Sequence, residues 1–230
     1  MRILALETST EWCSVAAGDG ERWLARDERT GPAHSERALA LVDAVLAEAG
    51  WTLAALDGIA FGAGPGSFTG IRVACGLAQG LALGADLPVV PVPTLAALAH
   101  AAWTGSGARR VVACLDARMR EVYIAAYQRG EAAWREIDVP RVLAPALIDA
   151  PDGNDWHGAG NGFATYPELG RQLGLARVDA GARPTALAVG ELALPRLAAG
   201  EGVAAADALP LYVRHRVALT TAERDAGARL

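Results

Sequence analysis

The chain opens on an apolar run, Ile3 to Leu6, and a second near 12–18, with the polar stretch Thr8-Ser9-Thr10-Glu11 between them. Short apolar runs bounded by turn residues predict strands at 2–7 and 12–18, and Gly18-Asp19-Gly20 predicts a hairpin into a third strand near 21–27. Beyond the breaker Thr30-Gly31-Pro32, apolar side chains fall at Leu39, Val42, Val45, Leu46 and Ala49, with Glu36, Arg37, Asp43 and Glu48 among them. That spacing predicts an amphipathic helix from Ser35 to Ala49, ended by Gly50. A buried strand at 57–62, a helix of Ala, Leu, Val and Gly to Leu83, a strand at 89–92 and a helix at 94–103 complete one α/β unit. Gly105-Ser106-Gly107 is the candidate boundary between a lobe at 1–104 and another at 105–230. The second lobe again opens on two strands, 111–115 and 121–127, joined by the turn Asp116-Ala117-Arg118-Met119-Arg120. Residues 151–162 read as loop, 185–199 as helix, and Tyr212 to Arg216 as a returning strand, with the tail from 211 packing back on the first lobe.

Between the strand at 57–62 and the following helix stands Gly62-Ala63-Gly64-Pro65-Gly66-Ser67-Phe68-Thr69-Gly70. Gly62, Gly64 and Gly66 tolerate positive φ, and Ser67 or Thr69 can cap the helix. Such a loop reads either as a tight turn or as an anion site made of Gly64, Gly66, Ser67 and Thr69 with Glu7 nearby. No Gly-Lys-Ser/Thr follows, and the glycine spacing departs from the dinucleotide pattern.

Composition narrows the field. At 230 residues and 52% apolar, with no unbroken apolar run of the ~18 residues a bilayer helix needs, the chain reads as an ordinary soluble, cytoplasmic protein. Glu7 and Glu11 follow the first apolar run too soon for a signal peptide. Cys13, Cys75 and Cys114 are too scattered for a disulfide framework or a zinc site. A net charge of −5 with scattered arginines, Arg109-Arg110 and Arg214-His215-Arg216 among them, argues against tight nucleic-acid binding by this chain alone.

Single residues leave alternatives. Ser35 reads as a helix N-cap with His34 beside it, or His34 as part of a subunit contact. Asp116, Arg118 and Glu121 read as turn chemistry rather than acid/base catalysis. Gly76, Gly80 and Gly84 share one helix face, and each costs about 0.8–1 kcal/mol against alanine, so close packing must offset them, either internal or against another subunit.

Ala-Leu-Glu-Thr-Ser-Thr at 5–10, Gly-Pro-Gly-Ser-Phe-Thr-Gly-Ile-Arg at 64–72, Asp-Ala-Arg-Met-Arg-Glu-Val-Tyr at 116–123 and Leu-Tyr-Val-Arg at 211–214 carry a family resemblance. From Ile3 to Arg216 the chain resembles the TsaB (YeaZ) family of bacterial tRNA threonylcarbamoyladenosine biosynthesis proteins. The resemblance implies the duplicated α/β fold of the actin, hexokinase and Hsp70 group, which is ribonuclease H-like, with a mixed sheet in each of two lobes. It implies a non-catalytic partner of the related transferase TsaD, acting with TsaE in threonylcarbamoyl transfer to the adenosine beside the anticodon. tRNA is then met only through the complex. It also implies no cofactor of the chain's own, leaving a nucleotide (ATP or ADP) at the interface with TsaD as the remaining option. The helices 35–49 and 68–83 become the surface for TsaD and for a competing homodimer, with His34, Leu39, Val42, Leu46, Arg72, Gly76 and Gly80 as its residues. Glu7 stands where the fold's first phosphate motif carries Asp. The two histidines of TsaD's metal motif align with Thr94 and Leu98, neither a ligand for a transition metal, and His100 falls two positions too late. Two rivals remain: an ATP-binding phosphotransferase of the same fold, and a zinc peptidase-like protein.

Overall fold

A computed structural model describes residues 1–31 and 33–214. The first sheet contains β1 (Ile3–Glu7), β2 (Trp12–Gly18), β3 (Trp23–Arg29), β4 (Gly58–Gly64) and β5 (Val89–Pro93), in the order β3-β2-β1-β4-β5. The second contains β6 (Arg110–Asp116), β7 (Val122–Arg129), β8 (Trp134–Leu143), β9 (His157–Ala159) and β10 (Arg177–Asp179), in the order β10-β9-β6-β7-β8. Each has three antiparallel strands followed by two parallel ones: β1 pairs antiparallel with β2 and parallel with β4, as β6 does with β7 and β9. Counted from its own first strand, each sheet therefore has the order 3-2-1-4-5. This is the duplicated, two-lobed, mixed-sheet fold that the resemblance implied.

β1, β4 and the inner part of β2 are buried on both faces, which is why they read as continuous apolar runs. α1 (His34–Ala49) and α2 (Phe68–Ala85) cover one face, packing Leu41, Val42, Val45, Ala74, Ala78 and Ala82 against Leu4, Leu6 and Phe61. By length and composition α2 could cross a membrane; here its inner stripe lies on the sheet, and Arg72 and Gln79 interrupt it. α3 (Thr94–Ser106) covers the second sheet through Leu95, Leu98 and Ala99. The short helices α4 (Gly162–Thr165) and α5 (Leu169–Gln172) close that sheet's other face with Phe163 and Leu169.

Several expectations are corrected. α1 begins at His34 rather than at a Ser35 cap; Ala33 takes the cap position with no side-chain bond, because the His34 ring is drawn inward onto Thr30 and Thr10. Gly105 and Ser106 complete α3, and Gly107, in the left-handed conformation, ends it. α6 (Ala186–Ala198), although it follows the second sheet in sequence, packs on the first, with Val189 and Ala193 against Ile3, Ala60 and Val90. Its N-cap Thr185 accepts from the Ala188 amide, and Ser14 Oγ accepts from the Ala186 amide at 2.7 Å, tying the helix to β2. The strand expected at 212–216 forms no ladder over Tyr212 to Arg214, and His215 and Arg216 lie outside the described residues. β4 already pairs with β1 and β5, so only the Ala63 carbonyl, at the register break between Gly62 and Gly64, is open to the Leu211 amide. β8, and β9 inside the expected loop at 151–162, were not foreseen.

Candidate functional site

At the carboxyl ends of β1 and β4, the glycines serve close approach. A Cβ on Gly62 would lie 1.8 Å from Oε2 of Glu7, one on Gly66 2.6 Å from Cβ of Ser9, and one on Gly70 1.9 Å from the Thr8 carbonyl oxygen. Only hydrogen fits at these contacts, so the loop seats directly on the β1–β2 turn. Hydrogen bonds fix it there: the Ser67 amide donates to the Ser9 carbonyl at 2.7 Å and the Thr8 hydroxyl to the Gly70 carbonyl at 2.7 Å. Ser67 caps α2 by accepting from the Gly70 amide, leaving Thr69 exposed in the first turn. The amides of Gly64, Ser67 and Gly70 thus already have acceptors within the protein. The loop is a tight structural turn, with much of its anion-binding capacity already used.

Glu7 lies beneath this turn and is only 1% exposed. Burial raises its pKa; the hydrogen bonds it accepts from Ser9 and Thr94 act in the opposite direction. Thr94 also accepts from the Gly64 amide at 3.0 Å, so the position aligned with a metal-binding histidine instead joins β4 to Glu7. Leu98, at the other such position, is fully buried in the core of the second lobe. His100 is held by Glu191 on one ring nitrogen, 2.8 Å away, and by the Trp134 indole N–H on the other. No cluster of three or more His, Cys, Asp or Glu suited to a metal occurs among the described residues.

Above the turn opens a cleft of about 660 Å³ between the lobes, walled by Ser9, the 65–69 loop, the 115–119 turn, Asn161 and Arg214. Ser9 Oγ, on a residue 3% exposed, has no hydrogen-bond partner among the described residues. Arg118, Met119 and Arg120 all have positive φ, near 60°, so this turn is a short left-handed coil. Asp116 stands at its entry and accepts from the Arg118 amide, which is turn chemistry. Sequence reading expected the tail from 211 to return to the first lobe but not that this segment bridges the cleft. Ala208 is buried against α2, where its carbonyl accepts from Cys75 Sγ and Gln79 Nε2. Arg214 then reaches the second lobe, donating to the Ala117 carbonyl at 3.1 Å and the Glu121 carboxylate at 2.6 Å. Its only sequence signal was the Leu-Tyr-Val-Arg stretch.

The expected partner surface divides. His34 is buried, its ring lowered in pKa by desolvation, and Val42 and Leu46 face the core. Leu39, expected on the apolar face, is 48% exposed because Ala38 and Leu41 fill the inner stripe. On α2, Gly76, Gly80 and Gly84 are exposed, and a Cβ on any of them would meet nothing within 4 Å. Packing among the described residues therefore does not explain the stripe. Leu83, 78% exposed, lies beside it. At the start of α2, Arg72 lies over the Phe68 ring at 3.5 Å and donates to the Tyr212 hydroxyl at 2.9 Å.

The profile of the family described as TsaD, tRNA N6-adenosine threonylcarbamoyltransferase, matches residues 28–211. The tRNA threonylcarbamoyladenosine biosynthesis protein TsaB of Escherichia coli (strain K12) is 41% identical over 95% of this chain and 96% of its own length. Its namesake in Haemophilus influenzae is 39% identical over 94% of this chain and 95% of its own. Among solved structures, YeaZ from Pseudomonas aeruginosa superposes with a TM-score of 0.85 at 44% identity, covering 92% of this chain and 99% of that one. At these identities over nearly the full length of each chain, the chain belongs to the TsaB (YeaZ) family of tRNA threonylcarbamoyladenosine biosynthesis proteins.

Proposed function

We propose that within tRNA threonylcarbamoyladenosine biosynthesis this chain is a non-catalytic subunit, which activates TsaD by binding it and works alongside TsaE. The observation that carries the partner reading is the bare outer face of α2. Gly76, Gly80 and Gly84 weaken the helix by about 0.8–1 kcal/mol each, and none of the described residues approaches them closely enough to compensate. A partner helix brought close to that face, with Leu83 beside it, would offset the cost; a second copy of this chain would compete for the same surface. Thr94 and Leu98, committed to Glu7 and to the core, support leaving the transfer chemistry to the partner. A nucleotide, where one is needed, is then shared at the interface with TsaD rather than held as a resident cofactor. Replacing Gly76 or Gly80 by Leu tests this: capture of TsaD is expected to be lost while the circular dichroism of the lone chain is unchanged. Undiminished capture would refute the placement.

One observation favours a second reading, an ATP-binding phosphotransferase: the cleft over Ser9 is large enough for a small ligand. Calorimetric titration of the lone chain with ATP separates the two, since the subunit reading expects no binding heat without TsaD.

A further inference from the structure

At the end of the second sheet away from the cleft, five arginines come together from distant points in the chain. Arg110 opens β6, with Arg109 just before it; Arg129 closes β7, Arg135 lies at the start of β8 and Arg177 opens β10. The register brings them to the same end of the sheet on its two faces: Arg110, Gln128 and Arg135 form one rung, while Arg177, level with His157 and Val111, and Arg129, opposite Trp134, lie on the other face. Five strand ends at ~4.8 Å spacing span about 19 Å, so this arginine row straddles the end of the sheet, roughly 20 Å from the cleft along β6. A surface hollow of about 630 Å³, lined by Arg109, Arg110, Arg129 and His157, forms its centre.

Four of these guanidiniums are held by neutral groups. Arg109 donates to the Arg129 and Gly130 carbonyls at 3.1 Å each, and Arg110 to the Asn154 carbonyl at 2.8 Å while lying over the Trp156 ring. Arg129 lies over Trp103, 4.8 Å from the ring centroid, and Arg135 donates to the Gln128 side chain at 3.1 Å. Among the described residues none of the five has a carboxylate within 4 Å, whereas Arg26, Arg37, Arg141, Arg183, Arg196 and Arg214 each do. Asp155 is the one carboxylate lining the hollow. In a chain of net charge −5, this is, among the described residues, a local concentration of positive charge without carboxylate partners, four of the five guanidiniums being oriented by carbonyls, an amide or rings.

We propose that this arginine row binds backbone phosphates of tRNA, giving the chain a direct, sequence-independent contact with the RNA. The proposal rests on a role beside the tRNA-modifying enzyme, and it departs from the expectation implied by the resemblance that RNA is met only through the complex. Phosphate contacts position a nucleic acid without reading its bases, so the row orients the tRNA while the modified adenosine is handled elsewhere.

The test uses the complex of the full chain with TsaD and unmodified tRNA, followed by fluorescence anisotropy across a salt series. Arg109, Arg135 and Arg177 are exposed and outside the core, so R109E/R135E/R177E should leave fold and TsaD capture intact. Affinity is expected to fall at least about tenfold at low salt, and the slope of log K against log salt to shrink by roughly two to three. The R109K/R135K/R177K variant keeps the charges and is expected to retain most of the affinity. Unchanged tRNA affinity and salt slope in the reversal variant would overturn the inference while leaving the subunit reading intact. Saturable binding of inorganic phosphate at the row without any effect on tRNA would also overturn it, showing a small-anion site. Loss of TsaD capture by the unaltered chain would instead count against the subunit reading.

Discussion

Glu7 and Gly62 show how a single contact constrains both residues. Because burial raises the Glu7 pKa, the folded state binds a proton more tightly than the unfolded chain, whose carboxyl titrates near 4.5. The contribution of this group to stability is greatest below that value and falls as pH rises through the higher folded pKa. Glu7→Gln, which keeps the shape and removes the charge, is expected to flatten the decline; urea midpoints from pH 4 to 8 would show it, and an unchanged pH profile would refute it. Gly62→Ala forces a methyl into the carboxylate and is expected to cost about 1–3 kcal/mol, as overpacking does. The cost should shrink in the Glu7→Ala background, since the two residues share one contact. The sequence made the need for small residues at 62–70 legible, but not its reason. Tight turn and anion cradle have the same glycine spelling, and only the distance from the turn to Thr8 and Ser9 separates them.

At the scale of elements, α2 allows a test by sign. Exposed glycines with open space around them gain from a methyl group, so Gly80→Ala is expected to stabilise the isolated chain by about 0.8–1 kcal/mol in chemical denaturation. A destabilised variant would mean that the stripe packs internally. Strong patterns were legible: β1, β2, α1, α2 and α6 lie within two or three residues of where hydrophobic spacing puts them. β8 was not, because Pro140 and charged residues interrupt the run; as an edge strand bonded only to β7, with a register break, it tolerates both. The phase of α1 was misread at Leu39 because His34 and Ala38, neither a strong apolar signal, occupy the buried stripe.

For the whole molecule, the two strand-hairpin openings announced a duplication that the sheet orders complete. What spacing could not reveal are the non-local arrangements: α6 lying on the first sheet, Arg214 bridging the cleft, and arginines from four segments meeting at one sheet edge. Arg214→Ala is expected to cost about 1 kcal/mol, the partly exposed pairing with Glu121 being discounted for solvent, and to make the lobes unfold less cooperatively. A thermal scan showing neither change would remove Arg214 as a tie between lobes. Glu7 and Thr94 are tied into internal hydrogen bonds beneath the loop, while exposed glycines on one lobe and exposed arginines on the other lie at the surface.

The most direct measurement is reconstitution of threonylcarbamoyl transfer to tRNA by TsaD and TsaE, supplied with the threonylcarbamoyl adenylate, in the presence and absence of this chain. Modification is expected only when the chain is present, and is expected to fail with the Gly80→Leu variant. Full modification without the chain would contradict its role as an activating subunit.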